Sequence, residues 1–235
     1  MKTLALLFFA SLFSAAAFAQ TNRFVIETDS GKIVVALYDN TPLHRDNMIK
    51  LLNEKFFDST LFHRVIPSFV IQGGDPNSKQ AKPGQMLGNG ELGYRVPAEI
   101  NDSNFHKRGA LGMARDNNPD KSSSACQFYI VVGKTFTDEE LDAIAQRSGR
   151  QFSPKQREIY KTEGGTPFLD GNYTVYGEVL EGIEVVDKIA NMPRNQADRP
   201  NTDIAMRKVY LEGQQEELKG KKEKKKKKKS KKLDE

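Results

Sequence analysis

Residues 62–75 read Phe62-His63-Arg64-Val65-Ile66-Pro67-Ser68-Phe69-Val70-Ile71-Gln72-Gly73-Gly74-Asp75. Residues 61–66 and 69–72 are rich in aromatic and β-branched residues, the composition of strands, and are interrupted at Pro67. Proline has no N–H to give to a sheet ladder, so a bend is expected there. Two strands joined at a bend would put Arg64 and Gln72, a fixed cation and an amide, on one face among Phe and aliphatic side chains. Alternation along the strand turns His63 to the other face. A buried, hydrogen-bonded core histidine is expected at that position.

Working outward, Arg23–Thr28 and residues 32–38 are strand-like runs on either side of Asp29-Ser30-Gly31, a hairpin turn. A helix follows, with Thr41 as its expected cap, Pro42 at its first position and Met48, Ile49, Leu51 and Leu52 as its apolar face. Residues 73–93 hold six Gly and two Pro and read as a long surface loop. No Gly-Lys-Ser/Thr follows and the loop opens no helix, so it is not a phosphate cradle. Residues 110–114, 127–132, 173–180 and 204–211 read as further strands, and Ile183–Ala190 as a second amphipathic helix. A mainly β protein of seven to nine strands with two helices suits a closed antiparallel β-barrel plugged at its ends. Residues 137–166 break the pattern. Thr137-Asp-Glu-Glu140 is a capping box ahead of Leu141 and Ile144, Ser153-Pro154 starts another helix, and Gly164-Gly165 ends it. This stretch is expected to be a helical insertion in a loop between two strands.

Two later blocks match the opening one in character: Gly109-Ala-Leu-Gly-Met113-Ala114-Arg115 with Ser124-Ala-Cys126-Gln127-Phe128-Tyr129-Ile130, and Phe168-Leu169-Asp170-Gly171-Asn172-Tyr173-Thr-Val-Tyr176-Gly177. Together the three blocks, in this order, resemble the cyclophilin family of peptidyl-prolyl cis/trans isomerases over about residues 24–211, with the helical insertion as the main departure. The resemblance implies a closed eight-stranded antiparallel β-barrel capped by two α-helices. It implies Arg64 as the catalytic arginine, with Phe69 and Gln72 beside it. It implies Phe69, Val70, Tyr129 and Leu169 as walls of a proline pocket, Gln72 and Gln127 as ordering amides, and Ala114 and Arg115 as backbone that bonds the substrate peptide. Arg115 stands where Asn is common, which matters little if only its backbone is used. Val70 and Tyr129 replace a usual Met and Phe. Phe168 and Tyr173 stand where many members have Trp and His, as in bacterial members; without the indole N–H, weak cyclosporin binding is expected.

The chemistry such a site performs explains the residue types. An X–Pro bond is a tertiary amide with a rotation barrier of about 18–20 kcal/mol, and uncatalysed exchange takes tens to hundreds of seconds. No covalent bond breaks, so neither nucleophile, metal nor cofactor is called for. A guanidinium is charged at any working pH and offers a rigid fork of donors to the twisted amide. The partners are proline-containing polypeptides. A non-catalytic proline-loop-binding module is the rival class, though a pure binder has no need of the arginine.

The ends carry different signals. Residues 1–19 read as a secretory signal: Lys2, an apolar run over residues 4–13, then Ala17-Phe18-Ala19 ahead of Gln20. The apolar run is shorter than the roughly 20 residues of a membrane span, so an exported protein is expected, with the periplasm favoured by the bacterial-like site. Residues 213–235 form a Lys-rich tail expected to be disordered. Within it, residues 219–235 hold 11 Lys against Glu223, Asp234 and Glu235, which is +8. The whole chain is +5 and Lys2 leaves with the signal, so residues 20–218 carry −4. Such a tail solubilises, or meets an anionic surface at about 1 kcal/mol per Lys near a charged membrane; no aromatics interleave it for base stacking.

Other residues exclude further chemistry. The single Cys, Cys126, permits no intrachain disulfide and no multi-Cys zinc site, and reads as a packed thiol. His44, His63 and His106 share no ligand spacing; His44 and His106 are expected at the surface. Asp75, Glu99 and Asp170 read as loop or strand-end hydrogen bonders. Nothing suggests an obligate dimer, and a monomer is expected.

Overall fold

A computed structural model describes residues 22–213. The expected signal peptide at residues 1–19 and the Lys-rich residues 219–235 lie outside the described residues.

The chain opens with a hairpin. β1 (Arg23–Thr28) and β2 (Gly31–Leu37) pair from Arg23 opposite Ala36 to Thr28 opposite Gly31. Ile33, Val35 and Leu37 point inward while their neighbours stay partly exposed, the alternation of a strand with one face on a core. After α1 (Pro42–Asn53), β3 (Phe62–Ile66) and β4 (Val70–Gly73) form a second hairpin around Pro67. The loop that follows leads through β5 (Arg95–Val96) to β6 (Ala110–Met113), β7 (Ser123–Ser124) and β8 (Phe128–Val131). Then come α2 (Asp138–Ser148), α3 (Pro154–Thr162), β9 (Val175–Glu181), α4 (Ile183–Ala190) and β10 (Met206–Leu211). Strands β5 and β7 pair separately.

The eight longer strands form one antiparallel sheet in the order β10-β1-β2-β9-β6-β8-β4-β3. It curls into a half-barrel, and the expected closure is not made. Its edge strands, β10 and β3, share no ladder. Between them lies one isolated bridge, Leu61 opposite Ala205, with backbone bonds from Phe62 N to Ile204 O, Met206 N to Thr60 O and Ser59 N to Met206 O. The cause is local. Ser59 sits in the left-handed region at φ 68° within the turns that lead into β3, so the chain arrives there folded rather than extended.

Phe24, Ile26, Ile71, Leu111, Phe128, Ile130 and Met206 fill the concave side against Met48, Leu51 and Leu52 of α1 and Val186 and Ile189 of α4. These are the two capping helices expected. Helices α2 and α3 are the insertion. Both start with complete capping boxes, Thr137 with Glu140 and Ser153 with Gln156.

The start of α1 departs from its sequence reading. Thr41 occupies the N-cap but caps nothing; its hydroxyl donates to Tyr38 O. The Glu99 carboxylate accepts instead from Leu43 N at 3.0 Å and His44 N at 2.9 Å. His44 is buried rather than at the surface, with Nδ1 2.7 Å from Glu99 and Nε2 3.0 Å from the Ser123 hydroxyl. Burial pushes its pKa down, opposed by Glu99.

His63 is buried as expected, yet neither ring nitrogen has a hydrogen-bond partner. Burial pushes its pKa down to about 4, against the pull of Asp75. Between pH 6.5 and about 4 the unfolded chain therefore binds a proton that the fold refuses. Stability at this site is complete above pH 6.5 and declines as pH falls, by about 3 kcal/mol once pH is below both values. Urea unfolding of wild type and His63→Asn at pH 7 and pH 4.5 checks this. The variant should lose less on acidification, and equal losses would remove His63 as the cause. Cys126 is fully buried and its thiol is pushed up to about 11, so it is the packed thiol expected.

Candidate active site

Strands β6 and β8 are buried on both faces. Their second face carries a separate apolar cluster of Ala110, Tyr129 and Val131, joined by Val70 from β4 and Val175 from β9. This cluster is the floor of a cleft, and strand register builds its charged wall. Arg64 lies opposite Gln72 across β3 and β4, Gln72 opposite Tyr129 across β4 and β8, and Tyr129 opposite Gly112 across β8 and β6. Directly opposed residues share a face, so four strands contribute one row. Gly112 in that row is a space requirement: a Cβ there would strike the Tyr129 ring.

Nine of the eleven residues assigned from the sequence line this cleft: Arg64, Phe69, Val70, Gln72, Ala114, Arg115, Tyr129, Leu169 and Tyr173. The remaining two stand just outside it. Gln127 is buried behind the wall, where its Nε2 donates to Gly88 O and Gly90 O at 3.0 and 2.8 Å. Its Oε1 accepts from Gln72 Nε2 at 3.3 Å, so one amide pair ties the 73–93 loop to the cleft. Phe168 is 47% exposed at the rim and stacks on Phe69 at 5.8 Å between centroids.

The Arg64 side chain is 41% exposed. Its carbon Cζ lies 5.9 Å from the Phe69 ring centre and its Nε 3.8 Å from Asp198 Oδ2, an ion-pair separation too long for a hydrogen bond. Among the described residues no acceptor takes its terminal donors. Arg115 contributes more than backbone: its Nε donates to Asn172 O at 2.7 Å, its Nη1 to Asp116 O at 2.8 Å, and its guanidinium lies 4.9 Å over the Tyr173 ring. The backbone of Ala114 is already occupied, with N bonded to Gln127 O and O accepting from Ser124 N, both at 2.8 Å.

The sequence reading missed what stands behind Tyr129. The Tyr129 hydroxyl meets His106 Nε2 at 2.8 Å, and the two rings stack at 6.0 Å and 12°. His106 is buried, not at the surface, with its Nδ1 2.7 Å and its backbone N 2.9 Å from Asp170 Oδ1. Nothing near His106 in the chain signals this, because its partner is 64 residues away. Asp75, Glu99 and Asp170 are the hydrogen bonders expected; Asp75 accepts from Asn77 N and Gly88 N. Among the described residues no cluster of three or more His, Cys, Asp or Glu is placed to hold a metal ion, and no helix is long and apolar enough to cross a membrane.

Residues 23–211 match the family model for cyclophilin type peptidyl-prolyl cis-trans isomerases. A protein of Staphylococcus epidermidis named as a peptidyl-prolyl cis-trans isomerase is 30% identical over 191 residues, 81% of this chain and 91% of that one. A protein of Streptococcus pyogenes named as a bifunctional phosphatase/peptidyl-prolyl cis-trans isomerase is 31% identical over 194 residues, and this chain spans 38% of its length. In fold, the chain resembles a Cryptosporidium parvum cyclophilin crystallised in the presence of the dipeptide Ala-Pro, with TM-score 0.57 and 23% identity over 81% of this chain and 99% of that one. With strand order, cleft and family match in agreement from Arg23 to Leu211, the chain belongs to the cyclophilin-type peptidyl-prolyl cis-trans isomerase family.

Proposed function

We propose that this chain accelerates cis/trans rotation of X–Pro bonds in exported polypeptides, as a monomer and with its own side chains alone. The observation that carries this reading is the Arg64 guanidinium, without a hydrogen-bond partner among the described residues, at the edge of an apolar cleft opposite Gln72. Val70, Tyr129 and Leu169 grip the proline ring. The residue before it then turns about the amide bond. As the bond twists, resonance is lost and the proline nitrogen regains a lone pair that the planar amide does not offer. Arg64 donates to that nitrogen and to the adjacent carbonyl oxygen, favouring the twisted amide over the planar one, which is the condition for raising a rate. The Gln72–Gln127 amide pair holds the cleft's polar edge in place. Since the backbone of Ala114 is spent within the fold, pairing with the substrate chain falls to the backbone of Arg115. Main-chain pairing makes the sequence preference around the proline broad.

Residues 1–19 support export. The test purifies the chain from the periplasmic fraction, identifies its first residue, and follows exchange of a short Xaa-Pro peptide by NMR. A chain starting at Gln20 that broadens and merges the cis and trans signals is the expected result. Folded protein that leaves exchange at the uncatalysed rate would make the cleft a proline-binding module, and an intact residue 1 would remove the exported setting.

A further inference from the structure

The helical insertion is joined to the proline cleft by an unbroken chain of buried hydrogen bonds. Tyr160 on α3 is fully buried, and its hydroxyl donates to Asp170 Oδ2 at 2.6 Å. Asp170 Oδ1 accepts from His106 at both the backbone N and Nδ1. A carboxylate only accepts, so Nδ1 carries a ring proton; in the neutral imidazole Nε2 then presents a lone pair, to which the Tyr129 hydroxyl donates. Every side-chain polar atom of these four residues has a partner, and Tyr129, the last of them, forms part of the floor of the cleft.

Two further features bind the insertion to the same place. Its own small core, including Phe136, Leu141 and Phe152 around Tyr160, also packs Phe105, the residue before His106. Its exit is stitched to the His106 segment through Arg108 N to Gly164 O and Thr166 N to His106 O. Asp170 itself ends the 3-10 turn Pro167–Leu169, which supplies Leu169 to the cleft wall. The insertion thus covers the hydrogen-bond chain and completes it, in surroundings where an unpartnered oxygen is costly.

We propose that the insertion is part of the isomerase apparatus: Tyr160, Asp170 and His106 are positioning residues that hold Tyr129 against the substrate proline. This rests on the cleft being the proline site. Removing the Tyr160 hydroxyl leaves one Asp170 oxygen unpartnered and frees the His106 and Tyr129 rings to shift. A shift of a pocket wall by a fraction of an ångström misaligns the proline relative to Arg64.

The test is a cycle of Tyr160→Phe, Tyr129→Phe and the double variant, assayed for kcat/KM on an Xaa-Pro peptide well below each variant's Tm. Tyr160→Phe is expected to lower kcat/KM about tenfold, chiefly through kcat, with the fold retained. In the Tyr129→Phe background the hydrogen-bond chain no longer reaches the cleft, so the same substitution should cost little further. Nitrogen-15 NMR of the histidines should show His106 protonated at Nδ1 in wild type and altered in Tyr160→Phe. An unchanged kcat/KM in Tyr160→Phe, or losses that multiply in the double variant, would overturn the proposal by making Tyr160 an ordinary packing residue. Absence of catalysis by wild type would instead strike the proline-site reading on which it stands.

Discussion

Arg64→Ala should lower kcat/KM for X–Pro rotation by about a hundredfold to a thousandfold, the loss seen when one preorganised donor to a developing charge is removed. The fold should survive. Arg64 is partly exposed, and its ion pair with Asp198 is long and open to solvent, a kind of pair worth little to stability. Arg64→Lys should recover only part of the rate, because an ammonium keeps the charge but loses the planar fork that reaches nitrogen and carbonyl together. The measurement is NMR exchange of one Xaa-Pro peptide with wild type and both variants, alongside their unfolding midpoints. Turnover unchanged in Arg64→Ala would end the mechanism while leaving the family assignment intact.

Glu99→Ala should be the costliest surface-near substitution for stability, about 3 kcal/mol, which for a domain of this size lowers Tm by about 10 °C. The truncation removes the side-chain cap seen at the N-terminus of α1 among the described residues and strands three donors at once: the N–H groups of Leu43 and His44 and the Nδ1 proton of His44. The His44 side chain is fully buried, so water cannot replace the lost partner without opening the packing. Thr41 is no substitute, since its hydroxyl is turned to Tyr38 O. Glu99→Gln should fall between wild type and Glu99→Ala, keeping an oxygen but not the charge that strengthens each bond. Urea unfolding decides the matter. A loss no larger than that of Glu184→Ala, an exposed residue on α4, would show that α1 is held by its packing alone.

The two substitutions mark the limits of what a linear reading detects. Arg64 was legible because a hairpin is a local object. Strand composition on both sides of Pro67 put Arg64 and Gln72 in facing positions, and the register between β3 and β4 agrees. The Thr137 capping box of the insertion was legible for the same reason, being closed within four residues, whereas the matching box of Ser153 with Gln156 was read only as a helix start. Glu99 was read as a loop or strand-end hydrogen bonder, and a loop hydrogen bonder it is, but the His44 N–H it accepts from at the start of α1 lies 55 residues earlier. His44 and His106 were placed at the surface because an isolated histidine in a polar stretch carries no periodic signal. Their carboxylate partners are remote in sequence and become neighbours only when the sheet curls. The same curling sets the error over barrel closure: strand counting cannot say whether the first and last edges meet, and here the turns around Ser59 hold β3 and β10 to a few bonds.

Sequence alone settled the order of the eight longer strands and of the helices, the hairpins, the insertion and the placing of Arg64 and Gln72 on one face, because each depends on residues a few positions apart. Tertiary structure alone brought Arg64, Gln72, Tyr129 and Gly112 into one row across four strands, put Glu99 under α1, and ran a hydrogen-bond chain from Tyr160 to the cleft. The physical reason is common to all three. Register between distant strands is fixed by which faces must be buried together, and a buried polar group takes whichever partner the packing brings within reach.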